Sequence, residues 1–149
     1  MSVDVLPDEA IVASTFKRAE LYRIDPSMMT ARLLVDGHAL GLVDMGNCVV
    51  DDEGYIWVNE VTGCRLWRFD STGRPTEVLG CGRPGFQSDC VPFAESRFHW
   101  IYDIRRGPDG RIYILEIPTW LCGCSTSLAQ LSQVRGFSDE IEDWLRRKC

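Results

Sequence analysis

Residues 51–73 read DDEGYIWVNEVTGCRLWRFDSTG, and this stretch decides the fold. It begins with an acidic turn that ends in Gly54, because glycine adopts positive φ without strain. Residues 55–58 are aromatic and β-branched, as residues in strands are, and residues 65–69 alternate between polar and apolar. A Thr-Gly turn lies between these two runs. The pattern predicts short antiparallel strands joined by tight turns.

The same pattern recurs along the chain. Residues 21–25 (LYRID) match residues 66–70 (LWRFD), which lie 45 positions later. Residues 108–116 (PDGRIYILE) resemble residues 52–60 (DEGYIWVNE) at an offset of 56 positions. Four short strands that recur about every 45 residues are typical of a β-propeller blade, whereas a β-sandwich does not repeat residue by residue.

We therefore predict an all-β fold, a partial β-propeller of about three four-stranded antiparallel blades, followed by a C-terminal α-helix. The predicted propeller region is 1–128, with blades at 7–37, 46–80 and 100–125, a Gly- and Pro-containing loop insertion at 81–98, and a helical tail at 129–149. In the tail, Ser138 is a helix N-cap, acidic residues lead and basic residues follow, as the helix dipole prefers.

Residues 51–73 resemble a blade of the NHL-type propeller family. Glu60 falls on the family's acidic position, Arg65 on its arginine, and Asp70 on the aspartate of its Phe-Asp pair. Residues 82–87 (GRPGFQ) resemble the linker between such blades. The resemblance implies a β-propeller built of blades whose loops and rim bind partners, and it relates the chain to the gluconolactonase-like propellers.

The length of the chain does not match a closed ring. The 149 residues hold about three repeats, whereas closed propellers have roughly four to eight blades. Open sheet faces that carry apolar side chains favour association. Three explanations remain: a fragment of a longer protein, two copies that form a six-bladed ring, or an arc capped by its own helix. We favour the first two.

Charge and hydropathy restrict the partners. There are 16 Lys and Arg against 22 Asp and Glu, for a net charge of −6, and a general nucleic-acid binder needs a basic surface instead. No apolar run reaches the ~18 residues of a membrane span. The acidic N-terminus lacks the pattern of a signal peptide. We expect a cytoplasmic protein with a protein partner or self-association, a small-molecule ligand as an option, and neither nucleic acid nor membrane as partner.

Asn47 and Asp103 occupy equivalent positions at the offset of 56, near the start of predicted inner strands. Oxygen ligands at the mouth of a channel can hold a divalent cation such as Ca²⁺. The resemblance to gluconolactonase-like propellers implies that such a cation activates water. Two residues are fewer than the six or so oxygens that calcium requires, so the competing interpretation is that they cap strand ends. No cofactor is favoured.

Glu60 and Glu116 are also equivalent, and paired carboxylates suggest acid–base chemistry. Because they recur with the blade, we interpret them, together with Arg65 and Asp70, as blade framework, with Arg65 as the partner of Glu60. His99 precedes a predicted inner strand and is a candidate general base, although a hydrogen-bonded surface histidine is commoner.

The odd number of cysteines, seven, without a secretion signal favours reduced thiols. A zinc or redox site is the weaker alternative, because the spacings do not match the usual zinc motifs. Its candidate residues are Cys81, Cys90, Cys122 and Cys124.

The sequence therefore predicts a binding or interaction module, either a fragment or a self-assembling half-propeller. The alternative is a metal-dependent hydrolase or lyase of gluconolactonase-like type, acting at the channel mouth. Whether the protein is an enzyme stays open at this point, because propellers serve both as binders and as enzymes.

Overall fold

The computed structural model describes residues 1–85, residues 95–117 and the backbone of one strand at Gln130–Val134. Three antiparallel sheets follow one another along the chain. A single turn of 3₁₀ helix, His38–Leu40, lies among the described residues. The strands are β1 (Ser2–Val5), β2 (Ile11–Thr15), β3 (Glu20–Asp25), β4 (Thr30–Asp36), β5 (Cys48–Val50), β6 (Ile56–Glu60), β7 (Arg65–Phe69), β8 (Pro75–Leu79), β9 (Trp100–Arg106), β10 (Ile112–Ile117) and β11 (Gln130–Val134).

Each sheet is a meander, in which strands that follow one another in sequence are also neighbours in space. The orders are β1-β2-β3-β4, β5-β6-β7-β8 and β9-β10-β11. Val3 pairs with Ala13 in the first sheet, as Cys48 pairs with Val58 in the second. The repeat of 45 residues is therefore a repeat of whole sheets that share one strand register. The predicted all-β fold class is confirmed.

Two element boundaries differ from the predicted ones. β1 (Ser2–Val5) precedes the predicted start of the first blade at residue 7, because its short alternation of polar residues and valine pairs with β2 and completes the sheet. β11 (Gln130–Val134) pairs with β10 and lies within the segment that we assigned to the helical tail. A short segment of five residues becomes a strand when a neighbouring strand offers backbone hydrogen bonds. The predicted helix after Ser138 lies outside the described residues.

The sheets stack face to face, and the core lies between them. We call the face of a sheet that points to the preceding sheet its front face, and the opposite face its back face. In the second sheet the front face consists of Cys48, Val50, Ile56, Val58, Trp67, Phe69 and Val78, and it packs against the back face of the first sheet. The back face of the second sheet, which includes Trp57, Leu66 and Leu79, packs against Ile104, Ile112 and Ile114 of the third sheet.

Residues 81–98, predicted as an inserted loop, connect the second and third sheets. The backbone N–H of Cys81 donates to the carbonyl of Ser96 at 2.8 Å. Phe98 is buried in the core between the second and third sheets. The end of the insertion is thus tied to the body of the protein, while residues 86–94 lie outside the described part.

The turn between the first two strands of each sheet needs a positive φ at one position. Gly54 and Gly110 supply it with φ of 84° and 74°. In the first sheet the equivalent residue is Glu9, with φ of 67°. A non-glycine residue in this left-handed region is strained by about 1 kcal/mol. The first sheet therefore keeps the turn geometry of the repeat without its favoured residue.

Candidate functional site

The first strands of neighbouring sheets, β1, β5 and β9, contact one another and form the inner edge of the stack. Their registers place Ser2, Asn47 and Asp103 at equivalent positions. The Asn47 side-chain amide donates from Nδ2 to Oδ1 of Asp103. The structure therefore brings together the two residues that the sequence proposed as cation ligands, and joins them by a hydrogen bond across two sheets.

The backbone of Asn47 is held by a second asparagine. The Asn47 N–H donates to Oδ1 of Asn59 at 2.6 Å, and Nδ2 of Asn59 donates to the carbonyl of Ile101 at 2.5 Å. Ser14, which is equivalent to Asn59, donates from Oγ to the carbonyl of Gly46 at 2.6 Å. Ser14 and Asn59 are both fully buried. Each of these two side chains donates a hydrogen bond to a backbone carbonyl of the next sheet or of the segment that leads into it. A polar residue at this one repeat position therefore fixes the inner edge of the stack.

Sequence reasoning missed Ser14 and Asn59. The available signal was a polar residue at the same repeat position within two otherwise apolar strands. Buried polar side chains in a strand need a hydrogen-bond partner, and for these two residues that partner lies in the following sheet.

Arginines flank Asp103 on the inner edge. The Arg105 guanidinium lies 3.2 Å from Oδ1 of Asp103, and Arg106 pairs with Asp52 at 2.7 Å. A shallow cavity of about 290 Å³ opens beside them. It is lined by Val3, Asp4, Cys48, Val49, Arg105 and Arg106.

This donor set fits a divalent cation poorly. Asn47 presents its amide N–H to Asp103, and the Arg105 guanidinium already supplies a positive charge at the same carboxylate oxygen. Calcium requires about six oxygen ligands. Within residues 1–85 and 95–117, no group of three His, Cys, Asp or Glu side chains converges as metal ligands would. The geometry resembles a structural polar cluster more than a metal centre.

Glu60 is a fully buried hub of the second sheet. Its carboxylate accepts two bonds from Arg65, at 2.6 and 2.9 Å, and one from Nε1 of Trp67 at 3.0 Å. The N–H of Val43 donates to it at 2.6 Å. Every bond of this carboxylate ties together parts of the fold, so Glu60 holds the connection from the first sheet onto the second.

Glu116 repeats part of this arrangement in the third sheet. It accepts the backbone N–H of His99 at 2.8 Å, and His99 is equivalent to Val43 in the repeat. Glu60 and Glu116 thus lie in separate sheets, each bound to the segment that precedes its own sheet. Asp70 accepts bonds from Thr72 and Arg74 in a turn, which lowers the pKa of its carboxyl, chiefly through the Thr72 hydroxyl.

His99, the candidate general base, lies just before β9. Its Nδ1 is buried and has no hydrogen-bond partner among the described residues. No described carboxylate bonds to the ring to orient it, so a catalytic role for His99 stays a prediction. His38 has both ring nitrogens against carbonyl oxygens, of Leu42 at 3.0 Å and of Lys17 at 3.3 Å.

Three cysteines lie in the described part, and all three are free thiols. Cys48 and Cys64 are buried, and burial raises the pKa of both thiols, that of Cys64 to about 11. Cys81 is exposed. Its three proposed partners in a zinc or redox site, Cys90, Cys122 and Cys124, lie outside the described residues, and that site stays a prediction.

The stacked sheets define the class of this protein, which is β-propeller-type. The solved structures that resemble it include a luciferin-regenerating enzyme, with a TM-score of 0.59 and 17% identity over 92% of this chain and 45% of that one. A gluconolactonase from Xanthomonas campestris matches with a TM-score of 0.57 and 16% identity, over 85% of this chain and 40% of that one. Virginiamycin B lyase from Staphylococcus aureus matches with a TM-score of 0.52 and 13% identity, over 93% of this chain and 41% of that one.

The chain spans less than half the length of these structural relatives. At such identities the likeness shows the fold alone. No protein-family model matches the chain, and no curated protein sequence matches it either. The assignment to NHL-type repeats therefore stays a prediction, whereas the propeller-type architecture is shown. None of the helices among the described residues has the length and apolar character to cross a membrane.

Proposed function

We propose that this chain is an interaction module, a three-sheet portion of a β-propeller that binds a protein partner through the front face of its first sheet. The observation that carries the proposal is the composition of that face. Its apolar residues are Val3, Val5, Ile11, Ala13, Tyr22, Ile24, Ala31 and Leu33, and Thr15 and Glu20 lie at one end of the face.

The apolar part of this face is open, whereas the equivalent residues of the second sheet are covered. Val3 is 65% exposed and its equivalent Cys48 is 1% exposed. Val5 is 56% exposed and its equivalent Val50 is 4% exposed. Covering a valine side chain stabilises by about 1.5 kcal/mol or more, so a face of this kind favours binding a partner.

The test measures whether the face is available in solution. The full chain is titrated with a hydrophobic dye whose fluorescence rises on apolar surfaces, while light scattering gives its mass. Either a monomer that binds dye or an assembly that covers the face supports the proposal. Val3→Lys is expected to reduce dye binding or assembly several-fold, and Val43→Lys, at a 61% exposed valine outside the face, is expected to change neither.

A monomer that binds no dye would contradict the proposal. In that case the chain's own residues after Ile117 cover the face, which is the arrangement of a capped arc.

The second candidate is a metal-dependent hydrolase or lyase at the inner edge. Its supporting observation is that Asn47 and Asp103 come from different sheets to one point, but a cation there would have to displace their hydrogen bond and the Arg105 guanidinium. Its test is the melting temperature with Ca²⁺, Mn²⁺ or Zn²⁺, because a specific metal at a hundredfold excess over its Kd stabilises by about 2.7 kcal/mol. A rise in melting temperature with one metal, lost in the Asp103→Asn variant, would support the metal-dependent enzyme. No rise with any of the three metals would contradict it.

A further inference from the structure

We propose that the partner of the open front face is a second copy of this chain. The back face of the third sheet of that copy covers the front face of the first sheet, and two copies close head to tail into a six-sheet ring. This inference rests on the proposed function and names its partner.

The protein itself shows what covers a front face. The front face of the second sheet is covered by the back face of the first sheet, and that of the third sheet by the back face of the second. Both contacts join the back face of one sheet to the front face of the next sheet. The first sheet carries the same apolar front-face positions as the second, so the surface that fits it is the back face of a sheet of this repeat.

One such back face is open among the described residues, that of the third sheet. Tyr113 and Leu115 are half-buried, whereas their equivalents Trp57 and Asn59 in the second sheet are fully buried under the third. The Arg105 side chain is 64% exposed, and its equivalent Val49 is 5% exposed. Each copy thus offers one open front face and one open back face.

The size of the assembly agrees with a closed ring. Each copy supplies three sheets, and six lie within the roughly four to eight blades of closed propellers. The chain spans 45%, 40% and 41% of three propeller-type relatives, so two copies come close to the length of one relative. A front-to-back contact is heterologous, and such contacts end in a ring only when the rotation closes.

The ring would make the polar cluster at the inner edge a shared site. Ser2 donates from its hydroxyl to the carbonyl of Cys48 in the next sheet, and Asn47 donates to Asp103 in the sheet after that. In the ring, the first strand of each sheet lies beside the first strand of the next sheet, so Asp103 of one copy faces strand β1 of the other copy. The surroundings of Asp103 and Arg105 are therefore incomplete in a single chain and are completed by the second copy.

The experiment is the mass of the full chain in solution, by light scattering on a size-exclusion column over a concentration series. We expect a species of twice 16.9 kDa. Val3→Lys on the front face and Leu115→Lys on the back face should each weaken the dimer at least tenfold. Val43→Lys is the matched control and should leave the mass unchanged. Circular dichroism checks folding, and Arg105→Glu replaces Leu115→Lys if that variant does not fold.

Mixing the two variants tests the head-to-tail arrangement. Each variant alone has two damaged contacts in its dimer. A mixed dimer of Val3→Lys with Leu115→Lys has one doubly damaged contact and one intact contact, so an equimolar mixture should recover dimer. If the dimer instead joined two front faces, Leu115→Lys would not weaken it. Mixing that variant with Val3→Lys would then not restore the dimer that Val3→Lys loses.

Four outcomes would overturn the inference. A dimer without recovery on mixing, or masses that grow without limit, would exclude the closed ring but keep the interaction face. A monomer that binds hydrophobic dye at its front face would exclude the second copy and leave another protein as partner. A monomer that binds no dye would overturn the proposed function as well.

Discussion

The first and second sheets share one register and one pattern of apolar residues, yet they differ in what surrounds them. Ile56, Val58 and Phe69 on the front face of the second sheet are fully buried. Their equivalents in the first sheet, Ile11, Ala13 and Ile24, are only partly buried. The difference lies in the neighbour and not in the strand pattern, because within the described part of the chain the second sheet has a sheet on each side and the first has one.

The two sheets also differ in how their turns and connections are held. The second sheet has a glycine at its first turn and a buried glutamate hub, whereas the first sheet has Glu9 and Thr15 at those positions. Among the described residues, the side chain of Thr15 bonds only within its own hairpin, to the backbone of Glu20. The second sheet is therefore more extensively cross-linked to the segment that precedes it than the first sheet is held at the equivalent position.

The largest expected effect is a truncation on the covered face. Phe69→Ala should lower the free energy of unfolding by about 4 kcal/mol, because it removes a fully buried aromatic side chain and leaves a cavity. The equivalent Ile24→Ala should lower it by about 1 kcal/mol, since only part of that side chain leaves apolar contact. Urea denaturation measures both, in a Val3→Lys background that keeps the front face uncovered. Equal losses would show that the two faces do not differ in burial.

The second effect concerns the buried carboxylate. Glu60→Ala should cost about 3 kcal/mol, because the Trp67 indole, the Arg65 guanidinium and the Val43 N–H lose their acceptor. Thr15→Ala at the equivalent position of the first sheet should cost about 1 kcal/mol. Thermal unfolding gives the comparison, and a Glu60→Ala variant as stable as Thr15→Ala would remove the hub from the explanation.

A smaller effect is expected at the first turns of the two sheets, where the two substitutions should change the free energy of unfolding in opposite directions. Glu9→Gly should stabilise the protein by up to about 1 kcal/mol, because glycine adopts the left-handed conformation without strain. Gly54→Ala should destabilise it by about 1 kcal/mol, since φ is 84° there and the new Cβ would lie 3.2 Å from Cγ of Pro7. Chemical denaturation of the two variants provides the measurement. A loss of stability in Glu9→Gly would mean that the glutamate side chain holds the turn.

The smallest effect is chemical and does not change the fold. At pH 8 an alkylating reagent should modify Cys81 within minutes and leave Cys64 almost unmodified, because the thiolate reacts and burial raises the pKa of Cys64 to about 11. Peptide mass spectrometry follows each site, and the urea-unfolded chain is the control in which both react. Between pH 9 and about 11 the unfolded thiol of Cys64 ionises while the folded one does not, so the stability of the protein falls as the pH rises through that range. Rapid labelling of Cys64 in the native protein would contradict its burial.

The amino-acid sequence by itself determined the strands, the turns and the class of fold. Residues 51–73 carry a period-two pattern between turn residues, and both signals act within a few neighbouring positions. Their recurrence after 45 residues was enough to predict stacked four-stranded sheets. The equivalence of Asn47 with Asp103 could also be read from the offset alone.

The tertiary structure decided everything that depends on which sheets are neighbours. The bond between Asn47 and Asp103, the links from Ser14 and Asn59, and the exposure of Val3 all depend on contacts across sheets. Such contacts join residues 32 or more positions apart, and local pattern does not encode their distances. The strands at Ser2–Val5 and Gln130–Val134 were missed for the same reason, because a short segment becomes a strand only when a neighbouring strand completes its backbone hydrogen bonds.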